Sequence, residues 1–246
     1  MRIREIMECL MDSEEIVDVE EDRDLFESLV GTVGILDDLD EIVTGEDWFL
    51  LSFDPPSSSH MGWACFSISG VVAKLECSGI HLVPDDTGQR LLSIERFIET
   101  LIERYPDVSV MCFERAIGMG FAPVRERISE NTGVIKLAGA RAGVKFVAIH
   151  TSTMAKRFTG SGSSEGKKSR IKKTARDLFF PDKSYREIAP KEEGGEMFEH
   201  LSDALGFGCC HLMMNGVRIE CPGGVLFPVD EKRFTVDIED MDESAG

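Results

Sequence analysis

The 246-residue sequence predicts an α/β fold, a mixed β-sheet flanked by helices. Three observations point to it. Five short apolar runs read as strands, and the first three follow one another with no helix between them, as in a meander. Amphipathic segments with helical spacing then alternate with the later runs, giving the order βββαβαβα. Two of the apolar runs stop on a carboxylate, at Asp54 and Glu114, where an open α/β sheet tends to collect its ligands.

WFLLSFD (48–54) is a short apolar run suited to a buried central strand. GWACFSI (62–68) and VVAKLEC (71–77), separated by Ser69-Gly70, complete the meander. The segment 87–105 carries Leu91, Leu92, Ile94, Phe97, Ile98, Leu101 and Ile102 on one broad face and stops before Pro106, which defines a helix. VSVMCFE (108–114) is the next strand, 123–142 the next helix and VKFVAI (144–149) the fifth strand. A Ser/Gly/Lys loop (159–168) leads into a basic helix (169–180), and EMFEHLSDALGFGCCHLMM (196–214) closes the core as a helix. No internal repeat is present.

Domain organisation follows from charge. The net charge is -18, yet residues 1–47 hold 3 Lys/Arg against 17 Asp/Glu, and residues 229–246 hold 2 against 7. The intervening 48–228 is nearly neutral, with 22 basic and 21 acidic residues. Charge marks an acidic N-terminal extension (1–47) and an acidic tail (229–246); the span of the resemblance given below sets the core at 48–214 and the C-terminal extension at 215–246. Overall acidity therefore does not exclude a nucleic-acid enzyme. Within 1–47, LFESLVGTVGILDDLDEIV has the spacing of an amphipathic helix, and the arm is expected to restrain binding of anionic ligands.

No apolar run approaches the roughly 20 residues of a membrane span, and the acidic start is unlike a signal peptide, so the expected location is cytoplasmic. Seven cysteines without a C-x-x-C pair argue against a disulfide framework and a structural zinc site. Cys209 and Cys210 are adjacent on a helix, where their side chains diverge by about 100°, which favours core packing over metal binding.

The chemistry gathers around four residues. Asp54 and Glu114 end two strands, while His200 and Asp203, three apart, share one face of the last helix. Three carboxylates and an imidazole in one place need cations to compensate them. Oxygen-rich sites of this kind suit Mg²⁺, with Mn²⁺ as a substitute. Two such ions can stabilise both the attacking and the leaving oxygen in phosphodiester hydrolysis. Lys156, Arg157, Lys167, Lys168, Arg170, Lys172, Lys173 and Arg176 lie between the second and third of these residues and form a basic stretch suited to phosphates.

In this order the motifs resemble RuvC-type Holliday junction resolvases of the RNase H-like superfamily. FDPPSSSHMGWACF resembles their first strand, turn and second strand, and MCFER their second acidic strand. NTGVIKLAGARAGV (131–144) resembles the helix that follows, 153–179 their basic loop and helix, and HLSDALGFG the closing acidic helix. The resemblance spans roughly residues 48–214. It implies an RNase H-like five-stranded mixed sheet, a homodimer, and paired metal-dependent nicks in branched DNA, above all four-way junctions. By position it implies that Asp54, Glu114, His200 and Asp203 hold two ions per site. An aromatic wedge often follows the catalytic glutamate in this family; here Ile117 stands near that place and Phe121 further on. Asp54-Pro55-Pro56 replaces the family's D-P-G, and His60-Met61 its Thr. The compact size and divergent ends suggest a bacteriophage member. Two other functions fit the same residues: a broader flap, fork or hybrid nuclease, and a DNA-binding or packaging adaptor that does not cut.

Overall fold

The structure, a computed structural model, describes residues 47–56, 59–115, 122–188 and 194–226. The acidic arm with its expected helix, Phe121, and the acidic tail lie outside the described residues.

The meander forms as the alternation predicts. Strand β1 (Trp48–Asp54) pairs antiparallel with β2 (His60–Ser69), and β2 with β3 (Val72–Leu82). Helix α1 (Thr87–Arg104) follows, its N-terminus capped by the Asp86 side chain, which accepts from the Gln89 backbone N–H at 2.9 Å. Strand β4 (Val108–Glu114) then returns beside β1 in parallel. Helix α2 (Ala122–Arg141) leads to β5 (Lys145–Ile149), which is parallel to β4.

Three further helices cover the other face: α3 (Thr151–Thr159), α4 (Lys167–Phe179) and, after the single turn α5 (Tyr185–Ile188), the long α6 (Gly194–Met214). From Leu201 to Met213 every residue of α6 but Asp203 is buried. A helix that is apolar all round belongs inside the molecule. Cys209 and Cys210 are both fully buried there, as the packing argument expects.

The sheet has seven strands in the order β5-β4-β1-β2-β3-β6-β7. The five expected strands are joined by β6 (Arg218–Cys221), parallel to β3, and β7 (Gly224–Leu226), antiparallel to β6. Both come from residues that the sequence reading assigns to the C-terminal extension (215–246). They are too short for a period of two to register, and only β3's free edge gives them a partner.

Alternation along each strand sorts the core in two. Leu50, Ala64, Phe66, Val110 and Cys112 face α3, α4 and α6. Leu51, Phe53, Cys65, Met111 and Phe113 face α1 and α2. Asp54 and Glu114 continue the first set and so point toward α6.

Candidate active site

Two carboxylates are brought together by strand register. The parallel β1–β4 ladder pairs Ser52 with Cys112 and Phe53 with Phe113, so Asp54 and Glu114 follow as neighbours on strands about 4.8 Å apart. The third carboxylate depends on how closely α6 approaches. Gly62, opposite Asp54 on β2, lies directly beneath the helix: a Cβ there would stand 2.0 Å from the His200 carbonyl oxygen. Only glycine permits that approach. It brings His200 within reach of Asp54, where Nδ1 and Oδ2 are 2.6 Å apart. With Asp54 ionised, His200 Nδ1–H is the donor.

The electrostatics are those of crowded, desolvated acids. Burial raises the Asp54 carboxyl above its ordinary range; the hydrogen bond and charge of His200 oppose this, Glu199 adds to it and Lys168 subtracts. Burial also raises Glu114, against a hydrogen bond donated by the Thr151 hydroxyl, while the Asp54 charge pushes further up. Asp203 is raised well above the usual carboxylate range, first by burial and then by Asp54, Glu114 and Glu199, with Lys168 opposing. Asp54, Glu114 and Asp203 thus act on one another's charge, and His200 is hydrogen-bonded to Asp54.

The basic residues are distributed unevenly. Lys168, on α4, is ion-paired with Glu199, and its ammonium pKa is raised first by that contact and further by Asp203 and Asp54. Lys172 reaches Glu199 at 3.8 Å, and Lys167 acts on Glu114. Lys173 and Arg176 are instead bound to Asp177, at 2.6 Å and 2.9 Å. Arg170 donates to the backbone carbonyls of Ser163 and Glu165 and so ties the Ser/Gly loop to the helix. On α3, Lys156 is exposed and Arg157 half-buried.

Sequence reasoning overlooked Glu199, Thr151 and His60. Glu199 precedes Asp203 by one helical turn, a spacing that could have exposed it. Thr151 opens α3, which the sequence reading left unassigned. The His60 and His200 rings stack with centroids 6.3 Å apart, across a strand-to-helix contact invisible in the chain itself.

Three desolvated carboxylates are hard oxygen donors, and their donor set suits a divalent cation of the Mg²⁺ or Mn²⁺ kind. Among the described residues, no group of three or more His, Cys, Asp or Glu side chains is already drawn together to hold an ion. No helix among the described residues is long and apolar enough to cross a membrane.

The sequence matches no family model and no curated protein. Among solved structures it is similar to Thermus thermophilus RuvC in complex with a Holliday junction substrate: TM-score 0.50, 15% identity, 67% of this chain and 92% of that one. Another T. thermophilus RuvC structure gives a TM-score of 0.49 at 17% identity over 66% and 92% of the two chains. The yeast mitochondrial Holliday junction resolvase Ydc2 gives 0.46 at 11% identity over 71% and 82%. At these identities the likeness speaks for architecture alone, and in architecture the chain has the RuvC-like, RNase H-like fold, here with seven strands.

Proposed function

We propose that the protein is a divalent-metal-dependent endonuclease that resolves branched DNA, four-way junctions foremost, as a two-fold dimer with one active site per cut strand. The observation that carries this reading is the gathering of Asp54, which is buried, with the half-buried Glu114 and Asp203, each raised above the ordinary carboxylate range, beside a helix carrying Lys167, Lys168 and Lys172. Burying like charges is costly and has no structural use, so the arrangement favours a function that brings cations in.

Asp54, Glu114, Asp203 and His200 would hold two Mg²⁺ or Mn²⁺ ions, which when bound supply Lewis-acid activation of water and charge stabilisation at the phosphate. The chain's own residues do the rest. His200 holds Asp54 by its Nδ1–H, and the Thr151 hydroxyl holds one oxygen of Glu114, so two of the carboxylates are oriented before any ligand arrives. Lys167, Lys168 and Lys172 draw phosphates to the rim, with Lys156 and Arg157 extending the track along α3. Lys173 and Arg176, already engaged by Asp177, contribute less.

The test compares cleavage of a four-way junction with that of linear duplex, flap and RNA–DNA hybrid substrates in Mg²⁺ or Mn²⁺. Asp54→Asn serves as the control. We expect cleavage of the junction in preference to the others, and a loss of at least about 10³-fold in the variant with junction binding retained. Equal rates on every substrate would favour the broader nuclease. Binding without any cleavage by the wild-type protein would leave a DNA-binding adaptor.

A further inference from the structure

On the α1–α2 side of the sheet, two polar residues are buried with every arm engaged. Asn131, in the middle of α2, is fully buried, and Arg90 of α1 is 3% exposed. The Arg90 Nε–H donates to Asn131 Oδ1 at 3.0 Å, and its other nitrogens donate to Glu130 at 2.8 Å and to the Asp85 carbonyl at 3.3 Å. Asn131 in turn donates from Nδ2 to the Pro56 carbonyl at 2.7 Å. That carbonyl lies two residues beyond Asp54. Asparagine is a poor helix former and nothing in α2 itself calls for one, so its use lies in what it holds.

What it holds is a segment unable to fasten itself. Pro55 and Pro56 are buried, have no backbone N–H and have fixed φ, so the chain leaving Asp54 cannot close a turn with its own donors there. Its direction is set by where the Pro56 carbonyl is tied. We propose that Asn131, itself oriented by Arg90, is a positioning residue: it fixes the Asp54-Pro55-Pro56 segment and thereby the direction in which Asp54 is presented to His200 and its other partners. The catalytic consequence rests on the nuclease reading above, but the positioning does not. Catalytic groups lose efficiency steeply with displacement, about 100-fold for roughly 1 Å.

The deciding variant is Asn131→Asp. It keeps an oxygen for Arg90 but replaces the donor facing Pro56 with an acceptor. The readout is the tautomer of His200, followed by long-range ¹H–¹⁵N correlation of the histidine rings at about pH 8 in the full-length protein with chelator present. The His200 signal is assigned with His200→Gln. In the wild type the bond to Asp54 holds the proton on Nδ1; in Asn131→Asp we expect a shift toward the mixed tautomers of Asp54→Asn. We also expect junction cleavage to fall about 10- to 100-fold while junction affinity stays within about twofold. A His200 signal identical to wild type would overturn the inference, whatever the cleavage rate. A shifted signal in a protein whose wild type never cuts would uphold the positioning and sink the nuclease reading instead. Should Asn131→Asp fail to fold, Asn131→Ala is read in the same way.

Discussion

Beneath α1 and α2, a buried arginine and a buried asparagine have their hydrogen-bonding groups met by one another, by a glutamate and by backbone carbonyls. Beneath α6, the buried Asp54 and the half-buried Glu114 and Asp203 raise one another's charge cost, with one histidine and a lysine in partial compensation. Both faces bury polar groups in the same sheet, yet one is satisfied and the other is not. Satisfied burial fixes a geometry and adds to stability. Unsatisfied burial of like charge subtracts from stability and persists where a ligand is to supply what is missing. The contrast sets a network that holds geometry apart from one that is left short of positive charge.

The largest expected effect on stability comes from disturbing the approach of α6 to β1 and β2. Gly62→Ala would place a methyl group against the backbone of His200 and Leu201 rather than against a side chain able to rotate. The helix must retreat, carrying His200 and Asp203 away from Asp54. We expect junction cleavage to fall at least about 100-fold and stability by about 3 kcal/mol, read by nicking assay and by urea unfolding. An active, stable Gly62→Ala protein would mean that the helix has slack and that the close approach does not set the site.

This dependence on approach also explains what the sequence could and could not reveal. Asp54 and Glu114 were legible because a buried strand ending in a carboxylate is a local pattern. His200 and Asp203 were legible because i, i+3 spacing is local too. Glu199 shares that helix, but its ion pair with Lys168 closes a gap of 31 residues. Asn131 reads as one more polar residue in a helix until Pro56, 75 residues earlier, is seen beside it. The strands β6 and β7 escaped for a related reason, since strands of four and three residues are defined by the edge they join. The basic stretch was legible as charge but not as charge already partnered, because only the folded geometry shows Asp177 engaging both Lys173 and Arg176.

A second prediction breaks the satisfied face. Arg90→Met keeps the bulk of the stem but leaves Asn131 Oδ1, the Asp85 carbonyl and Glu130 without their donors. The unmet buried acceptor of Asn131 costs about 1–3 kcal/mol, while Asp85 and Glu130 are exposed enough to be rehydrated. We expect a net loss of about 2–3 kcal/mol in urea unfolding, in chelator as well as in Mg²⁺. A loss that appears only with Mg²⁺ would place Arg90 with the functional network instead.

The smallest effect has the opposite sign and tests the unsatisfied face directly. The Asp203 carboxyl is raised well above the usual range by burial and by Asp54, Glu114 and Glu199. A carboxyl raised in the folded state keeps its proton there after the unfolded chain has released it. Rising pH therefore drains stability from the ordinary carboxylate range, near 4, until the folded-state value is passed. Asp203→Asn removes that drain. In chelator it should melt with the wild type near pH 4 and above it at neutral pH, by about 2–4 °C, the shift expected of roughly 1 kcal/mol in a domain of this size. Asp54→Asn should gain less, because Asp54 has favourable contacts with His200 to lose. Adding Mg²⁺ should reverse the order by stabilising the wild type and sparing the variant, since only the wild type retains the full acidic set to bind it. A variant that gains nothing at neutral pH would mean the three carboxylates are already compensated from within the protein, and the contrast between the two faces would then lose its functional meaning.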